Sequence, residues 1–270
     1  MNKTIFITGS SSGIGKATAQ YFAEQGWNVA ATMRSPEKHS DFAQSSNIKI
    51  YRLDVSDTES ITTAISHAIK DFGQIDILLN NAGFSVFGAF ECASEEEVQN
   101  QLNTNLLGVM NATRAILPHL RQRRNGRIIT ITSIGGLAAF PLFTLYHATK
   151  WAVEGFMESL YYELKPFNIK IKIVEPGAVD THLAANTIES KSSTLKEYDA
   201  FVEKVRKNLL SANPGSYDKP VDIARTIMRA ATDQSTRIRY PVGNANIVLM
   251  LRRLLPLSWF HGFVSRSNGI

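Results

Sequence analysis

A tyrosine and a lysine four residues apart, Tyr146 and Lys150, have residue types and a spacing suited to acid–base chemistry. On a helix, side chains four residues apart lie on one face. A phenol titrates near pH ~10 and is a poor base at neutral pH, but a neighbouring ammonium group lowers its pKa. Tyr146 is therefore a candidate general acid/base for a carbonyl or alcohol oxygen. The alternative is a solvent-exposed Tyr/Lys pair on an ordinary helix.

Ser133 adds a hydroxyl group to the same candidate site. It directly follows the strand-like run 128–132, and residues 134–145 connect it to Tyr146. Its hydroxyl could hydrogen-bond a substrate oxygen and stabilise a developing alkoxide. A serine that only caps the following loop is the alternative.

The stretch TGSSSGIG, residues 8–15, lies between the first strand-like run and the first helical pattern. In an open α/β sheet, ligands bind at the carboxyl ends of the strands. Gly9 permits a tight exit from the strand, Gly13 a close approach to a pyrophosphate, and Gly15 the packing of helix against sheet. The helix N-terminus adds free N–H groups and a positive dipole end. The turn therefore predicts a phosphate site rather than a flexible linker.

The 270-residue chain is 44% hydrophobic and 20% charged, which is the balance of an ordinary globular protein. Its net charge of +5 attracts anionic cofactors. Four basic residues cluster tightly in the sequence: Arg121, Arg123, Arg124 and Arg127. No signature of a nucleic-acid-binding module accompanies them, so no nucleic-acid partner is predicted. The single cysteine, Cys92, excludes an intrachain disulfide and fits a reducing, cytoplasmic location. No residue is assigned to a metal.

Apolar strand-like runs alternate with helical patterns almost to the end of the chain. Strands are predicted at 4–8, 28–32, 49–53, 75–80, 127–132, 170–174 and 238–240, and helices near 14–25, 58–71, 95–122, 146–165 and 220–232. The strands are mostly continuous runs of Ile, Leu and Val, as expected when both faces of a sheet are covered. Capping-box patterns begin two helices, at Ser56 with Glu59 and at Ser94 with Glu97. The alternation predicts an α/β fold built on a doubly wound parallel sheet.

The glycine spacing G-x-x-x-G-x-G resembles that of the classical short-chain dehydrogenases/reductases. The same family resemblance is carried by Asn80-Asn81-Ala82-Gly83, Ser133, Tyr146-x-x-x-Lys150 and Pro176-Gly177, in this order. It covers residues 3–241 and is nearest to 17β-hydroxysteroid dehydrogenase-like and retinol dehydrogenase-like members. It implies one Rossmann-type domain over residues 1–270, with about seven parallel strands and helices on both faces. It also implies a nicotinamide-dependent oxidoreductase that interconverts a ketone or aldehyde and an alcohol.

The resemblance implies roles for particular residues. The catalytic set is Ser133, Tyr146, Lys150 and Asn105. Asn105 would mark a helix kink and a water relay to the lysine, and a solvent-facing asparagine is the alternative. Lys150 would also hold the nicotinamide ribose. The implied cofactor-binding residues are Gly9, Ser11, Ser12, Gly13, Ile14, Gly15, Arg34, Asp54, Val55, Asn81, Ala82, Gly83, Tyr146, Lys150, Pro176, Gly177, Val179 and Thr181.

Four of these residues have more specific implied contacts. Asp54 would contact the adenine, although it could instead cap the approach to the next helix. Asn81 would touch the adenine-side ribose. Val179, together with Thr181, would meet the nicotinamide carboxamide. His147 replaces the small residue that is more usual after the tyrosine, and we expect it to be structural.

The end of the second strand bears on the choice between NAD and NADP. An acidic residue there would bind the adenosine 2′-hydroxyl and repel a 2′-phosphate. The sequence has no acidic residue in this stretch. Thr32 takes the place where the acidic residue would be expected, and Arg34 follows. A guanidinium suits a phosphate dianion, and Ser12 could add a hydroxyl. NADP(H) is therefore predicted over NAD(H), with a solvated Arg34 as the alternative.

The segment between Ser133 and Tyr146 predicts an apolar pocket. Its candidate lining residues, which could instead pack beneath the loop, are Leu137, Phe140, Leu142 and Phe143, together with Phe84. Residues 181–216 are polar and loosely patterned, and we interpret them as a substrate lid. A lipophilic carbonyl or alcohol substrate is expected.

The apolar segment near 245–260 is interrupted by Arg252 and Arg253 and broken by Pro256, so it cannot span a bilayer. It could cover the pocket, form an oligomer interface or rest on a membrane surface; burial within the protein is favoured. A homodimer or homotetramer through the helices 95–122 and 146–165 is expected. The alternative functions are a non-catalytic NADP-binding sensor or scaffold on the same fold, and an epimerase or dehydratase acting on a nucleotide sugar.

Overall fold

The computed structural model describes residues 2–38, 45–179, 187–190, 195–211 and 217–270. Its strands are β1 (Thr4–Ile7), β2 (Asn28–Met33), β3 (Ile48–Arg52), β4 (Ile77–Asn80), β5 (Ser85–Phe87), β6 (Gly126–Ile131), β7 (Ile169–Glu175), β8 (Thr187–Glu189) and β9 (Arg239–Pro241). Its α-helices are α1 (Gly13–Glu24), α2 (Thr58–Phe72), α3 (Glu95–Leu102), α4 (Gly108–Arg123), α5 (Thr144–Leu164), α6 (Asp199–Ser211), α7 (Pro220–Thr232), α8 (Ala245–Leu254) and α9 (Leu257–Ser267).

Seven strands form one parallel sheet in the order β3-β2-β1-β4-β6-β7-β9. The order reverses between β1 and β4, which creates a crevice at the carboxyl ends of these two strands. The doubly wound α/β fold predicted from the sequence is confirmed. The seven predicted strands occur within two residues of their predicted ends.

Alternate residues of each strand feed two separate cores. In β1, Phe6 belongs to the core beneath α2, α4 and α5, whereas Ile5 and Ile7 belong to the core beneath α1 and α7. All three side chains are fully buried. Apolar residues on both faces explain the continuous rather than alternating hydrophobic runs.

The predicted helix 95–122 is interrupted by a π-helical turn, Asn103–Leu107. At its start, the predicted capping box of Ser94 and Glu97 is confirmed, since the Ser94 hydroxyl accepts from Glu97 N and the Glu97 carboxylate accepts from Ser94 N. The capping box predicted at Ser56 is wrong. Asp57 caps α2 instead, since its carboxylate accepts from Glu59 N and Ser60 N, whereas the Ser56 hydroxyl donates to Asp54.

Several elements were missed by the sequence analysis. Strands β5 and β8 are three residues each and pair with one another across a long sequence separation, so neither has a local signal. Helix α6 lies within the predicted lid, and its residues Phe201, Val202, Val205 and Leu209 have a helical spacing that could have revealed it. In the C-terminal segment, Pro256 separates α8 from α9. Among the described residues, no helix is long and apolar enough to cross a membrane.

Candidate active site

The glycine-rich turn leaves β1 at the point where the strand order reverses. Gly9 has a backbone φ of +71° and Gly13 a φ of +54°, values that residues other than glycine rarely adopt. A Cβ on Gly15 would lie 2.2 Å from the Gly9 carbonyl oxygen, so the first turn of α1 sits directly on the glycine turn. The Ser12 side chain does not cap α1, and the first turn of the helix contains no acidic residue. These features fit an anionic phosphate group at the N-terminus of α1.

Asn81 holds this turn against the end of β4. Its side-chain amide donates to the Thr8 carbonyl at 2.9 Å and to the Gly9 carbonyl at 2.8 Å. The Thr8 hydroxyl in turn accepts from the backbone of Asn81 and Ala82. Both amide hydrogens of Asn81 are thus used within the protein, and its observed contribution is to shape the turn.

Ser133 and Tyr146 meet at the end of β6. The Ser133 hydroxyl accepts from Gly135 N at 3.0 Å, which fixes the serine at the start of a short helical turn. The Ser133 hydroxyl also interacts with the Tyr146 phenol. The Ile134 N–H donates to the Pro176 carbonyl at 2.9 Å, so the Pro176-Gly177 turn lies against the same loop.

Lys150 lies one helical turn after Tyr146 on α5 and is buried, with 7% of its surface exposed. Its ammonium group donates to the Ile131 carbonyl at 2.9 Å and lies 5.6 Å from the centre of the Tyr146 ring. The structure therefore brings Ser133, Tyr146 and Lys150 together. Across all the described ranges, no cluster of three or more His, Cys, Asp or Glu side chains is arranged to hold a metal ion.

Burial controls the ionisation of this pair. It raises the pKa of Tyr146, and the hydrogen bond from Ser133 opposes that rise. It lowers the pKa of Lys150 to about 8, and the Glu154 carboxylate opposes that fall. The net shift of the phenol pKa is opposite to the one predicted from the Tyr/Lys spacing, because desolvation of the phenolate is the larger effect. Tyr146 is accordingly protonated at neutral pH.

A buried ionic cluster that the sequence analysis did not identify lies next to Lys150. Glu154 is 3% exposed and Glu175 is fully buried. Arg239 bridges them, with N···O distances of 2.6 Å to Glu154 and 3.0 Å to Glu175, and it also contacts Glu158 at 2.6 Å. Burial, and then the charge of Glu154, raise the pKa of Glu175 to about 8, while Arg239 opposes the rise. A glutamate four residues after Lys150 and another directly before Pro176 were the available signals.

Asn105 lies in the π-helical turn and is 1% exposed, so the solvent-facing alternative is wrong. Its amide donates to the Phe84 carbonyl at 2.7 Å, and its oxygen accepts from Phe84 N at 3.1 Å. The amide also lies 3.5 Å from the Thr149 hydroxyl, next to Lys150. The π-helical turn interrupts the regular helix at this residue, and the side chain connects the loop after β4 to α5.

Known proteins resemble this chain in sequence and in fold. The family model of the short chain dehydrogenases matches residues 3–192. The chain is 41% identical over 204 residues to 3-ketodihydrosphingosine reductase of Bacteroides thetaiotaomicron, covering 75% of this chain and 74% of the relative. The chain belongs to the short-chain dehydrogenase family.

Solved structures agree with this assignment. A short-chain dehydrogenase from Streptomyces avermitilis superimposes on this dehydrogenase with a TM-score of 0.84 at 32% identity, over 100% of this chain and 99% of that one. ElxO with NADP bound superimposes with a TM-score of 0.75 at 29% identity, over 92% of this chain and 100% of that one. The dehydrogenase is accordingly an oxidoreductase.

The end of β2 differs in one detail from the sequence analysis. In the dehydrogenase, β2 continues to Met33, and Thr32 is buried with its hydroxyl donating to the Ile7 carbonyl at 2.9 Å. Thr32 is therefore inside the sheet and not at the strand end. Arg34 is exposed immediately after the strand, and its carbonyl accepts from the Arg52 guanidinium at 3.0 Å.

Asp54 follows β3 and is half-buried. Its carboxylate accepts from the backbone and the hydroxyl of Ser56, at 2.9 and 2.7 Å. This turn matches the alternative in which Asp54 shapes the approach to α2. Val55 is buried against Gly108, where an added Cβ would lie 2.8 Å from the valine.

The turn after β7 is held by Asp218. Asp218 N donates to the Ala178 carbonyl at 2.8 Å, and Val179 pairs with Asp218 in an isolated bridge. The Gly177 backbone lies next to the Asp218 carboxylate. Thr181 lies outside the described residues. The remaining predicted cofactor residues lie in the turn after β1, at the start of α1 and in the loop after β4: Ser11, Ser12, Ile14, Ala82 and Gly83.

The segment between Ser133 and Tyr146 contributes to two apolar clusters. Leu142 and Phe143 pack with Phe87 and the Val205 face of α6, whereas Phe140 packs with residues of α8 and α9. Leu142 is only 6% exposed, so packing beneath the loop describes it better than lining an open pocket.

His147 braces the same segment from inside. Its Nε2 accepts from Phe140 N at 3.0 Å. Its Nδ1 is so close to Gly135 that a Cβ added to this glycine would lie only 2.5 Å from it. Burial lowers the pKa of His147 to about 4. The imidazole is therefore neutral at physiological pH.

Proposed function

We propose that this oxidoreductase is an NADP(H)-dependent enzyme that interconverts a ketone or aldehyde and an alcohol, with Tyr146 as the general acid/base. The observation that carries the proposal is that the Tyr146 phenol interacts with the Ser133 hydroxyl and lies beside the buried ammonium of Lys150. This group lies next to a glycine turn whose geometry suits a dinucleotide phosphate.

In the direction of carbonyl reduction, a nicotinamide dinucleotide supplies the hydride when bound. Ser133 orients the substrate oxygen and stabilises the negative charge that develops on it. Tyr146, protonated because burial raises its pKa, donates its proton to that oxygen. The adjacent ammonium of Lys150 then stabilises the phenolate that remains. In the reverse direction, the phenolate accepts the proton of the alcohol.

The first experiment follows NADPH oxidation against a panel of apolar ketones and aldehydes. We expect turnover with the wild type and a loss of at least about a thousandfold in kcat for Tyr146→Phe, since the variant lacks the transferable proton. NADPH binding, measured by nicotinamide fluorescence, should persist in the variant. Undiminished turnover by Tyr146→Phe would contradict the mechanism. Tight NADPH binding without turnover on any substrate would favour the non-catalytic sensor.

The proposed NADP(H) preference is supported by Arg34, which is exposed at the end of β2 without an acidic residue in that strand. A guanidinium at this position suits a 2′-phosphate by charge and by geometry. The NADP-bound neighbour ElxO is consistent with this proposal. Arg34→Ala should raise KM for NADPH by about tenfold or more and leave KM for NADH within about twofold. Equal losses with both cofactors would contradict the preference.

A lipophilic carbonyl substrate is supported by the aromatic side chains beside Tyr146. The Phe143 ring lies 6.3 Å from the Tyr146 ring, centre to centre. The Bacteroides thetaiotaomicron relative is named as a reductase of 3-ketodihydrosphingosine, which is consistent with a carbonyl substrate. The resemblance to 17β-hydroxysteroid and retinol dehydrogenases favours the same class. Activity confined to small polar carbonyls would contradict it.

A homodimer or homotetramer is also proposed, with α4 and α5 as the contact helices. Exposed apolar side chains support this proposal: Leu107 precedes α4, and Trp151 and Tyr162 lie on α5. Light scattering of the purified protein distinguishes a monomer from these assemblies.

The single cysteine, Cys92, supports a cytoplasmic location.

A further inference from the structure

The two C-terminal helices present large apolar side chains to solvent. On α8, Ile247, Met250 and Leu254 recur at helical spacing with 55%, 52% and 70% of their surfaces exposed. On α9, Trp259 and Phe263 are one turn apart and 69% and 53% exposed. Together with Leu257, the first residue of α9, these residues form what we call the C-terminal apolar surface. Exposed apolar side chains of this size and number mark an interaction site.

The opposite sides of the same helices are packed onto the protein. Phe260 is 1% and Val264 8% exposed, and both lie in one cluster with Ala138. Val248 and Phe140 pack against this cluster from α8 and from the segment before Tyr146. Internal packing therefore fixes both helices and leaves the C-terminal apolar surface facing outward. The exposure of this surface follows from the fold, because the core already uses the other face.

The charge of the protein is concentrated in the same part of the chain. Residues 234–270 contain five arginines, no lysine and no acidic residue, so residues 1–233 contain the remaining 24 basic residues (29 minus 5) against all 24 acidic ones. The net charge of +5 thus belongs entirely to residues 234–270. Arg239 is paired internally, and the Arg252 guanidinium lies 5.7 Å from the centre of the Phe260 ring. Arg253 and Arg266 are exposed on α8 and α9.

We propose that the C-terminal apolar surface docks on an anionic phospholipid bilayer, with α8 and α9 lying in the plane of the interface. Interfacial helices combine Trp, Phe and Leu side chains, which enter the headgroup region, with arginines that contact lipid phosphates. Trp259 has an amphipathic ring, which favours the headgroup region of the bilayer. The surface is more suited to a bilayer than to a second copy of itself, because a symmetric contact would bring the arginines of two acid-free segments together.

Docking would place the bilayer beside the segment that connects Ser133 to Tyr146, since Phe140 packs against the inner face of the two helices. The proposal nevertheless stands independently of the proposed function, because lipid binding requires neither cofactor nor turnover. It also requires no membrane-spanning element.

The test is co-sedimentation of the full-length protein with vesicles. Vesicles of phosphatidylcholine mixed with phosphatidylglycerol should bind the wild type more tightly than vesicles of phosphatidylcholine alone, and salt should weaken the binding. The double variant Trp259→Ser/Phe263→Ser should lose more than about tenfold in partitioning. Phe90→Ser is the matched control, because Phe90 is 58% exposed elsewhere on the molecule. Unchanged thermal unfolding of each variant shows that the fold is retained.

A second arm tests charge. Arg253→Glu/Arg266→Glu should abolish the preference for phosphatidylglycerol, whereas Lys70→Glu/Lys165→Glu, the same charge change outside the segment, should retain most of it. Tryptophan emission should shift to the blue on binding, and Trp259→Phe should bind without that shift. The proposal is overturned if the wild type does not sediment with anionic vesicles, or if the serine and control variants bind equally. A dimer that Trp259→Ser/Phe263→Ser dissociates, with no vesicle binding, would assign the surface to a second copy of the chain.

Discussion

The charge of Lys150 has to be balanced inside the protein, because the residue is almost completely buried. Glu154, one turn further along α5, raises the pKa of the lysine against the effect of desolvation. Arg239 in turn bridges the buried side chains of Glu154 and Glu175. The ammonium beside Tyr146 therefore depends on residues that need not touch a substrate.

Removal of the Glu154 carboxylate should shift the pH dependence of activity. In Glu154→Gln the pKa of Lys150 falls below about 8, because the favourable charge is lost and burial remains. If the protonated lysine is needed, the alkaline limb of kcat/KM moves to lower pH, while activity at the acidic side of the optimum changes little. The measurement is the pH profile of the reaction with the substrate found in the panel.

Glu158→Gln is the matched control for that experiment. Glu158 binds the same arginine but its side chain is 54% exposed, and it is absent from the effects that shift the Lys150 pKa. Its pH profile should match that of the wild type. Equal profiles for Glu154→Gln and the wild type would show that Glu154 is only structural.

At the scale of the elements, the site depends on two departures from regular structure. The glycine turn brings α1 onto the end of β1, and the π-helical turn buries the Asn105 amide against Phe84. Both place polar backbone or side-chain groups at the carboxyl edge of the sheet. Regular helices on either side carry the packing.

Gly15→Ala should disrupt the turn. The new methyl group would lie 2.2 Å from the Gly9 oxygen and 2.5 Å from the Asn81 amide, so the turn or the start of α1 must shift. Cofactor affinity should fall by about tenfold or more, and the melting temperature should fall with it. Nicotinamide fluorescence titration and thermal unfolding measure the two effects.

Gly155→Ala, in α5, should stabilise the protein, whereas Gly15→Ala should destabilise it. Within the described parts of the chain, nothing lies within 4 Å of an added Cβ at this position in α5. The substitution should stabilise the protein by up to about 1 kcal/mol, because alanine favours a helix interior over glycine. A loss of cofactor affinity as large as that of Gly15→Ala would refute the argument from the turn.

For the whole molecule, a buried neutral histidine predicts a loss of stability in acid. The folded pKa of His147 is about 4, below the unfolded value of about 6.5, so between these values only the unfolded chain binds a proton. Stability therefore falls as the pH falls through this window. Between pH 7 and 4 the wild type should lose about 3 kcal/mol more free energy of unfolding than His147→Asn.

Chemical denaturation at the two pH values measures this difference. His67→Asn, which alters an exposed histidine on α2, should keep the wild-type pH dependence. If His147→Asn and the wild type lose stability equally in acid, the neutral buried imidazole is not the cause.

The sequence was sufficient where the signal is local or where a motif is specific. Seven strands were predicted because apolar runs, most of them continuous, alternate with helical patterns along the chain. The Ser94 cap was predicted because its two partners are three residues apart. Gly9, Ser133, Tyr146 and Lys150 could be identified because residue type and spacing together are specific for one family. Residues in short or mutually dependent elements, such as β5 and β8, gave no comparable signal.

By itself, therefore, the sequence determined the order of the elements, the doubly wound sheet and the family of oxidoreductases. Only the tertiary structure decided which charges surround Lys150, since Arg239 reaches Glu154 and Glu175 from 85 and 64 residues away. It also reversed the expected shift of the Tyr146 pKa, because desolvation depends on packing and not on spacing. It decided which sides of α8 and α9 face solvent, because a helix with apolar residues on two faces can bury only the one that finds a partner.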